Sequence, residues 1–460
     1  MLGMEFRDYC KRFLFLIMAY KYFPQTEEDI KEMLDVSGVK SLSDLYGEIP
    51  EELKLNREYN IPSEMSEIDI RKHLEELGRK NKQLICFAGG GAYDHYTPAV
   101  INYITQRSEF LTSYTPYQAE ISQGTLQYIF EYQTLMASLT GMDVSNASMY
   151  DGATATAEAM MMAVANSRKK NKILVSSVLN PSVIRVVETY AKYHGVDVEL
   201  IPAKNGVTDR LKLKEALSKG DSAGVIVGQP NYYGIIEDLT GVADLCHEQK
   251  SLLIVNAPAS TLAVLKTPGE WGADIAVGDA QSLGLPISFG GPYLGYFCTK
   301  ETLVRKMPGR IVGGTTDQDG KRTFVLTMQA REQHIRRQKA TSNICSNQGI
   351  MTLMATIYMS LLGPQGLKEV NEISCSGAHY LFDELLKTGK FYPAFENTTF
   401  LNEFVVKTEL DIDKLQEKFI CNGILGGIKP EGLEGAIMFA VTEQRSKKEI
   451  DKLISIINEA

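Results

Sequence analysis

Tyr150-Asp151-Gly152-Ala153-Thr154-Ala155-Thr156-Ala157-Glu158 marks the point where the chain changes texture. Capping and turn-forming side chains give way to small residues, the pattern of a helix start packed closely on its neighbours. Such a start leaves N–H groups unpaired and presents the positive end of the helix dipole, which suits an anion. An ordinary capped helix packed through Gly and Ala carries the same residues, so this stretch alone leaves both readings open. The residues downstream of it set the fold. Helical patterns over 154–168, 182–194, 210–219 and 239–250 alternate with short apolar strands over 172–178, 197–201, 224–228, 252–255 and 274–277. That alternation predicts an α/β architecture, a mostly parallel sheet covered on both faces, with ligands at the carboxyl ends of its strands.

Working outward, acidic capping patterns at Thr26–Asp29, Ser41–Asp44 and Ser66–Asp69, separated by Pro50 and Pro62, predict an N-terminal helical arm. Leu126, Ile129, Phe130, Met136 and Leu139 share one helical face that Gly141 terminates, and they read as core. A long helix over 349–362 is expected to end at Gly363-Pro364. Beyond it, strands over 400–406 and 437–441 and helices over 411–420 and from Lys447 suggest an α+β unit. The expected division is an N-terminal extension and arm over 1–85, a large domain over 86–345 and a small C-terminal α+β domain over 346–460. The short apolar run over 13–19 lacks a cleavage site and is too short to span a bilayer. Residues 1–17 read as an upstream translation extension, since soluble-protein patterning begins at Tyr20.

With 460 residues and 44% hydrophobic content, the chain has material for two or more packed units. A net charge of -9 argues against nucleic acid as the main partner. The seven cysteines are scattered without CxxC spacing, which suits free thiols in a reducing cytoplasm and proposes no metal site.

Three further segments carry polar chemistry. Gly89, Gly90 and Gly91 stand beside Tyr93, His95 and Tyr96, where close backbone approach and a proton-moving imidazole would meet, although taken alone the segment reads better as a tight turn with surface aromatics. A second aromatic loop, 114–124, contains Tyr117 and Glu120. Gln229-Pro230-Asn231-Tyr232-Tyr233-Gly234 comes after a strand at the ligand-gathering edge of the sheet, where an ordinary turn would use the same residues. The charged run 331–339 reads as a solvated or subunit-facing helix.

Taken together, FAGGGAYDHYTPAV (87–100), SEFLTSYTPYQAEISQGTLQYIFEYQTLMASLTGMDVSNASMYDGATA (108–155), QPNYYGIIED (229–238), PGEWGADIAVGDAQSLGLPISFGGPYLGYF (268–297), MPGRIVGGTTDQDGKRTFVLTMQAREQHIRRQKATSNICSNQ (307–348) and GILGGI (423–428) resemble the glycine cleavage system P-protein family. The likeness runs from Tyr20 to the C-terminus and is to the N-terminal (alpha, subunit 1) chain of the split, two-subunit form. It implies a fold-type-I pyridoxal-phosphate (PLP) transferase-like architecture and a glycine dehydrogenase (decarboxylating) activity. In that reaction PLP is the electron sink as glycine loses CO2, and the aminomethyl group passes to the lipoyl arm of the H protein.

The resemblance also implies a limit. Where such folds place an aspartate for the pyridine nitrogen and a lysine for the imine, this chain offers Asn256 and the neighbourhood of Ser282. PLP is therefore expected on a lysine of subunit 2, with Asp151, Gly152, Ala153 and Thr154 a vestigial phosphate loop. Tyr93, His95, Tyr96, Tyr117 and Glu120 are the expected wall of the partner's site. The partners implied are subunit 2, lipoylated H protein and glycine, with functional coupling to the T and L proteins, in a cytoplasmic heterotetramer with two copies of each subunit. Two competing readings are a self-sufficient PLP enzyme using Lys266, and a noncatalytic scaffold that stabilises subunit 2 and docks the H protein.

Overall fold

The computed structural model describes residues 24–459 except 58, 113 and 168, so the translation extension expected over 1–17 lies outside the described residues. The chain divides between Asn81 and Lys82 into two units. In the first, Thr26 caps the helix Glu27–Ser37 in a reciprocal box with Asp29, and Ser66 caps Glu67–Gly78 by accepting from the Asp69 N–H. The third capping pattern, at Ser41, starts the short 3-10 turn Leu42–Tyr46.

The second unit is built on a seven-stranded sheet in the order Val144–Ser145, Gly295–Thr299, Ile275–Asp279, Leu252–Asn256, Ser222–Gly228, Lys172–Ser176, Asp197–Ile201. The last five run parallel, and Gly295–Thr299 runs against Ile275–Asp279. Alternate residues of each strand serve opposite faces, as the pleat requires. Ile173, Val175, Ile226, Ile254 and Val277 pack against the Ala- and Met-rich helix Gly152–Ser167. Leu174, Val225, Val227, Leu253 and Val255 face Leu213, Leu217, Val242 and Cys246 on the other side. Both faces are thus dry, which is why the strands read as continuous apolar runs.

The helix expected to stop at Gly363-Pro364 breaks there, and the element not expected is a second helical segment directly beyond it. Gly363 adopts φ 61°, ψ -176°, a break that only glycine tolerates easily, and Pro364 begins a second helical segment that continues to Lys387. The first segment packs Met354, Ala355, Tyr358 and Met359 with Tyr132, Met136 and Leu283. The second sets Ala378, Leu381 and Leu385 under a three-stranded antiparallel sheet, Phe391–Pro393, Glu403–Thr408 and Ala436–Ala440. By length and composition Gly349–Lys387 is apolar enough to cross a membrane. Its mid-helix break and its burial in two cores instead explain that apolarity as packing.

Cys246 and Cys298 are buried, and burial pushes their thiols up to about 12 and about 11. They are packing residues at neutral pH.

Candidate functional site

The parallel strands give the site its place. The chain leaves Lys172–Ser176 toward one edge of the sheet and Ser222–Gly228 toward the other, so a crevice opens beyond their carboxyl ends at this switch point. A cleft of about 280 Å³ lies there. Asn180, Gly228, Pro230, Asn231, Asn256 and Asp279 line it from the strand ends, joined by Gly89 to Tyr93, by Asp151 to Ala153 at the helix start, and by Asn402 and Glu403.

Glu403 fastens the glycine-rich segment to this cleft. Its Oε1 accepts the Gly90 N–H at 2.6 Å and its Oε2 accepts the Tyr93 hydroxyl at 2.9 Å. Phe87 anchors the segment in the core beneath the three-stranded sheet. The Gln281 side chain completes the clamp, accepting the Tyr93 N–H at 2.8 Å and donating to the Tyr93 carbonyl at 2.9 Å. Burial pushes the Glu403 carboxyl up to about 7 against the opposing pull of the Gly90 N–H and the Tyr93 hydroxyl. Tyr93 itself is held well above its ordinary range, first by burial and then by the Glu403 charge.

The other aromatic residues are placed differently. His95 is buried, and its Nδ1 donates to Glu443 at 2.6 Å, while the Tyr96 N–H donates to the second Glu443 oxygen at 2.7 Å. The Tyr96 ring remains exposed. Tyr117 lies away from the cleft lining, half-exposed, and its hydroxyl accepts from Arg310 Nη2 at 3.3 Å beside the His334 ring. Arg310 is itself buried, donates to the Cys345 carbonyl at 2.7 Å, and leaves its Nε without a hydrogen-bond partner. Glu120 is exposed. Of the charged run 331–339, most side chains from Gln333 to Lys339 are exposed, while Arg331 is partly buried and donates to the carbonyls of Met307 and Gly309.

At the helix start, the Asp151 carboxylate accepts the Thr154 N–H at 2.7 Å and its hydroxyl at 2.8 Å. The Gly152 N–H is taken by Asp279 Oδ2 at 3.1 Å. Asp279, the last residue of its strand, is the group that faces the cleft beyond this strand end. Ser282 instead turns inward, is buried, and accepts the Ser260 N–H at 3.2 Å. The cleft therefore gathers Tyr93, Asp151, Gly152 and Ala153, and leaves His95, Tyr96, Tyr117 and Glu120 outside its lining. The sequence alone did not mark Asp279, Glu403, Gln281 or Glu443 as site residues. Only Asp279 and Gln281 stand in a segment that it singles out.

The family described as glycine cleavage system P-protein matches residues 20–457. A probable glycine dehydrogenase (decarboxylating) subunit 1 from Carboxydothermus hydrogenoformans is 48% identical over 445 residues, covering 95% of this chain and 99% of that protein. A crystal structure of glycine decarboxylase (P-protein) of the glycine cleavage system, in inhibitor-bound form, is 40% identical with a TM-score of 0.87 over 95% of this chain and 99% of that one. An alanine–glyoxylate aminotransferase from Nostoc sp. shares the fold at 16% identity and a TM-score of 0.60, over 82% of this chain and 95% of that one. The architecture is that of fold-type-I PLP-dependent enzymes.

That fold calls for PLP, and a PLP site needs an imine lysine, a partner for the pyridine nitrogen and an anion-receptive helix start. Among the described residues lining this cleft there is no lysine and no arginine. Lys266, the nearest rival, lies over the Trp271 ring at 3.9 Å and does not line the cleft. The Asn256 amide donates to Thr156 Oγ1 at 2.7 Å, and a carboxyl group already sits on the helix start. The residues present do not fit PLP. By the match of nearly its whole sequence and by its fold, the chain belongs to the glycine cleavage system P-protein family.

Proposed function

We propose that this chain is subunit 1 of a two-chain glycine dehydrogenase (decarboxylating), an oxidoreductase of the glycine cleavage system, and that subunit 2 supplies the Schiff-base lysine. The observation that carries this reading is a PLP-enzyme fold in which the described residues lining the cleft include neither lysine nor arginine. The pair releases the glycine carboxylate as CO2 and transfers the aminomethyl group to the lipoyl arm of the H protein. T and L proteins complete the cycle, and the assembly is a cytoplasmic heterotetramer with two copies of each subunit.

Within this chain, the placement of the aromatic residues divides the work. Tyr93 and His95 are spent on Glu403 and Glu443, so they hold the glycine-rich segment in position. Tyr96, Tyr117 and Glu120 present exposed side chains that a partner can meet, and Arg310 orients the Tyr117 hydroxyl from behind. The engagement of Tyr93 and His95 within the chain favours a second reading for those two residues, a purely structural role such as a scaffold needs.

Borohydride reduction of the purified chain with PLP tests the lysine assignment. Peptide mapping should find no near-stoichiometric pyridoxyl-lysine, and a single full adduct at Lys266 or elsewhere would overturn the reading. Tyr117→Phe in the reconstituted pair separates shared site from scaffold. We expect turnover to fall about tenfold, equivalent to about 1.4 kcal/mol, with assembly and H-protein affinity retained. Unchanged turnover in an intact assembly supports the scaffold.

A further inference from the structure

The first turn of the helix Gly152–Ser167 is the anion-receptive point of the cleft, and the chain fills it from within. The Gly152 N–H donates to Asp279 Oδ2 at 3.1 Å, while Asp279 Oδ1 accepts the Gln281 N–H at 2.8 Å and is thereby fixed in direction. In the same turn, Asp151 holds the Thr154 N–H at 2.7 Å. Two of the amides that an incoming oxyanion would use are therefore already bonded to carboxyl groups of the chain.

The fit between helix start and strand end is close. A Cβ on Gly152 would stand 2.7 Å from the Asp279 N and 3.0 Å from the Asp279 Cβ, so the absence of a side chain there is what lets Asp279 reach the helix. Among the described cleft-lining residues no lysine or arginine offsets these carboxyl groups. A phosphate dianion entering here would have to displace one of them and meet the other at close range, with only peptide dipoles in its favour.

We propose that Asp279 is a built-in substitute for an external phosphate, a specificity-determining residue that keeps phosphorylated ligands, PLP included, out of this chain's own cleft. The proposal rests on reading the chain as the lysine-less half, and it deepens that reading: the cleft lacks an imine lysine and also rejects the cofactor's phosphate. Its consequence for the pair is that PLP partitions to one kind of site.

Asp279→Ser is the direct test, because a serine hydroxyl can still accept the Gln281 N–H and preserve the turn while vacating the Gly152 amide. Binding of PLP and of inorganic phosphate to the full chain is measured by equilibrium dialysis. The wild-type chain should show no saturable phosphate binding, and the serine variant should bind both, with Kd at least tenfold below any wild-type value. Equal affinity in the two proteins would overturn the proposal. Should the variant fail to fold, hydrogen exchange over 151–155 in the wild-type chain decides: no change in protection on adding phosphate supports the proposal, and new protection refutes it. A covalent PLP adduct on wild-type lysine would defeat the lysine-less reading instead, and mapping distinguishes that failure from noncovalent phosphate capture.

Discussion

Gly89→Ala is expected to cost the protein about 3 kcal/mol, the upper end of what one inserted methyl does in a packed site. A Cβ at Gly89 would stand 2.1 Å from Glu403 Oε1 and 2.7 Å from the Ala440 Cβ. Ala440 is locked in the three-stranded sheet, and its N–H donates to the Phe87 carbonyl at 2.9 Å, so the backbone has little room to retreat. Glu403 is no freer, since it already holds the Gly90 N–H and the Tyr93 hydroxyl. The strain must therefore be relieved by breaking one of those bonds, which leaves a buried polar group unpaired. Urea denaturation should show a lowered midpoint, and hydrogen exchange should show lost protection over 87–96. A variant with wild-type midpoint and wild-type exchange there would mean that the segment does not approach Glu403 as described.

Local signals account for what was legible in the sequence. The capping side chains of Thr26, Ser66, Asp209, Asp411 and Ser446 act within one helical turn, and the helices they start lie close to where the pattern puts them. The strand over 197–201 is found on those residues, and its parallel neighbours differ only at their ends. Gly363-Pro364 shows where a local rule runs out. A proline cannot sit inside a helix, but it can open one, and tertiary packing of Leu367 and Ala378 recruits the second segment. The site was legible only on one side. Its glycine-rich segment and helix start were visible, whereas the groups that fix them are remote: Glu403 lies 310 residues from Tyr93, and Glu443 348 residues from His95. No periodicity or spacing joins residues at that separation. Arg310 stood in a family-like block without any local sign that it would be buried behind Tyr117.

Glu403→Gln should stabilise the protein at pH 8 by about 3 kcal/mol and change little near pH 4.5. Burial raises the Glu403 carboxyl from an ordinary 4.5 to about 7. Below about 4.5 both the folded and unfolded chains hold this proton, and the favourable contribution of the neutral carboxyl is fully present. Between 4.5 and about 7 the folded chain retains a proton that the unfolded chain has released, so stability falls as pH rises. Above 7 the loss is complete, and at about 1.4 kcal/mol per pH unit the interval amounts to about 3 kcal/mol. Glutamine removes the titration. Its carbonyl can accept the Gly90 N–H and its amide can donate to the Tyr93 oxygen, so the clamp on the glycine-rich segment survives without a buried charge. Asp279 and Glu158 are also pushed to about 7 by burial, so the wild-type chain should lose stability steeply through this window and the variant less so. Urea midpoints at pH 4.5 and pH 8 measure both slopes. A variant that is less stable than wild type at pH 8, with the same slope, would mean that the ionised carboxylate is the favoured form and that its two hydrogen bonds outweigh burial.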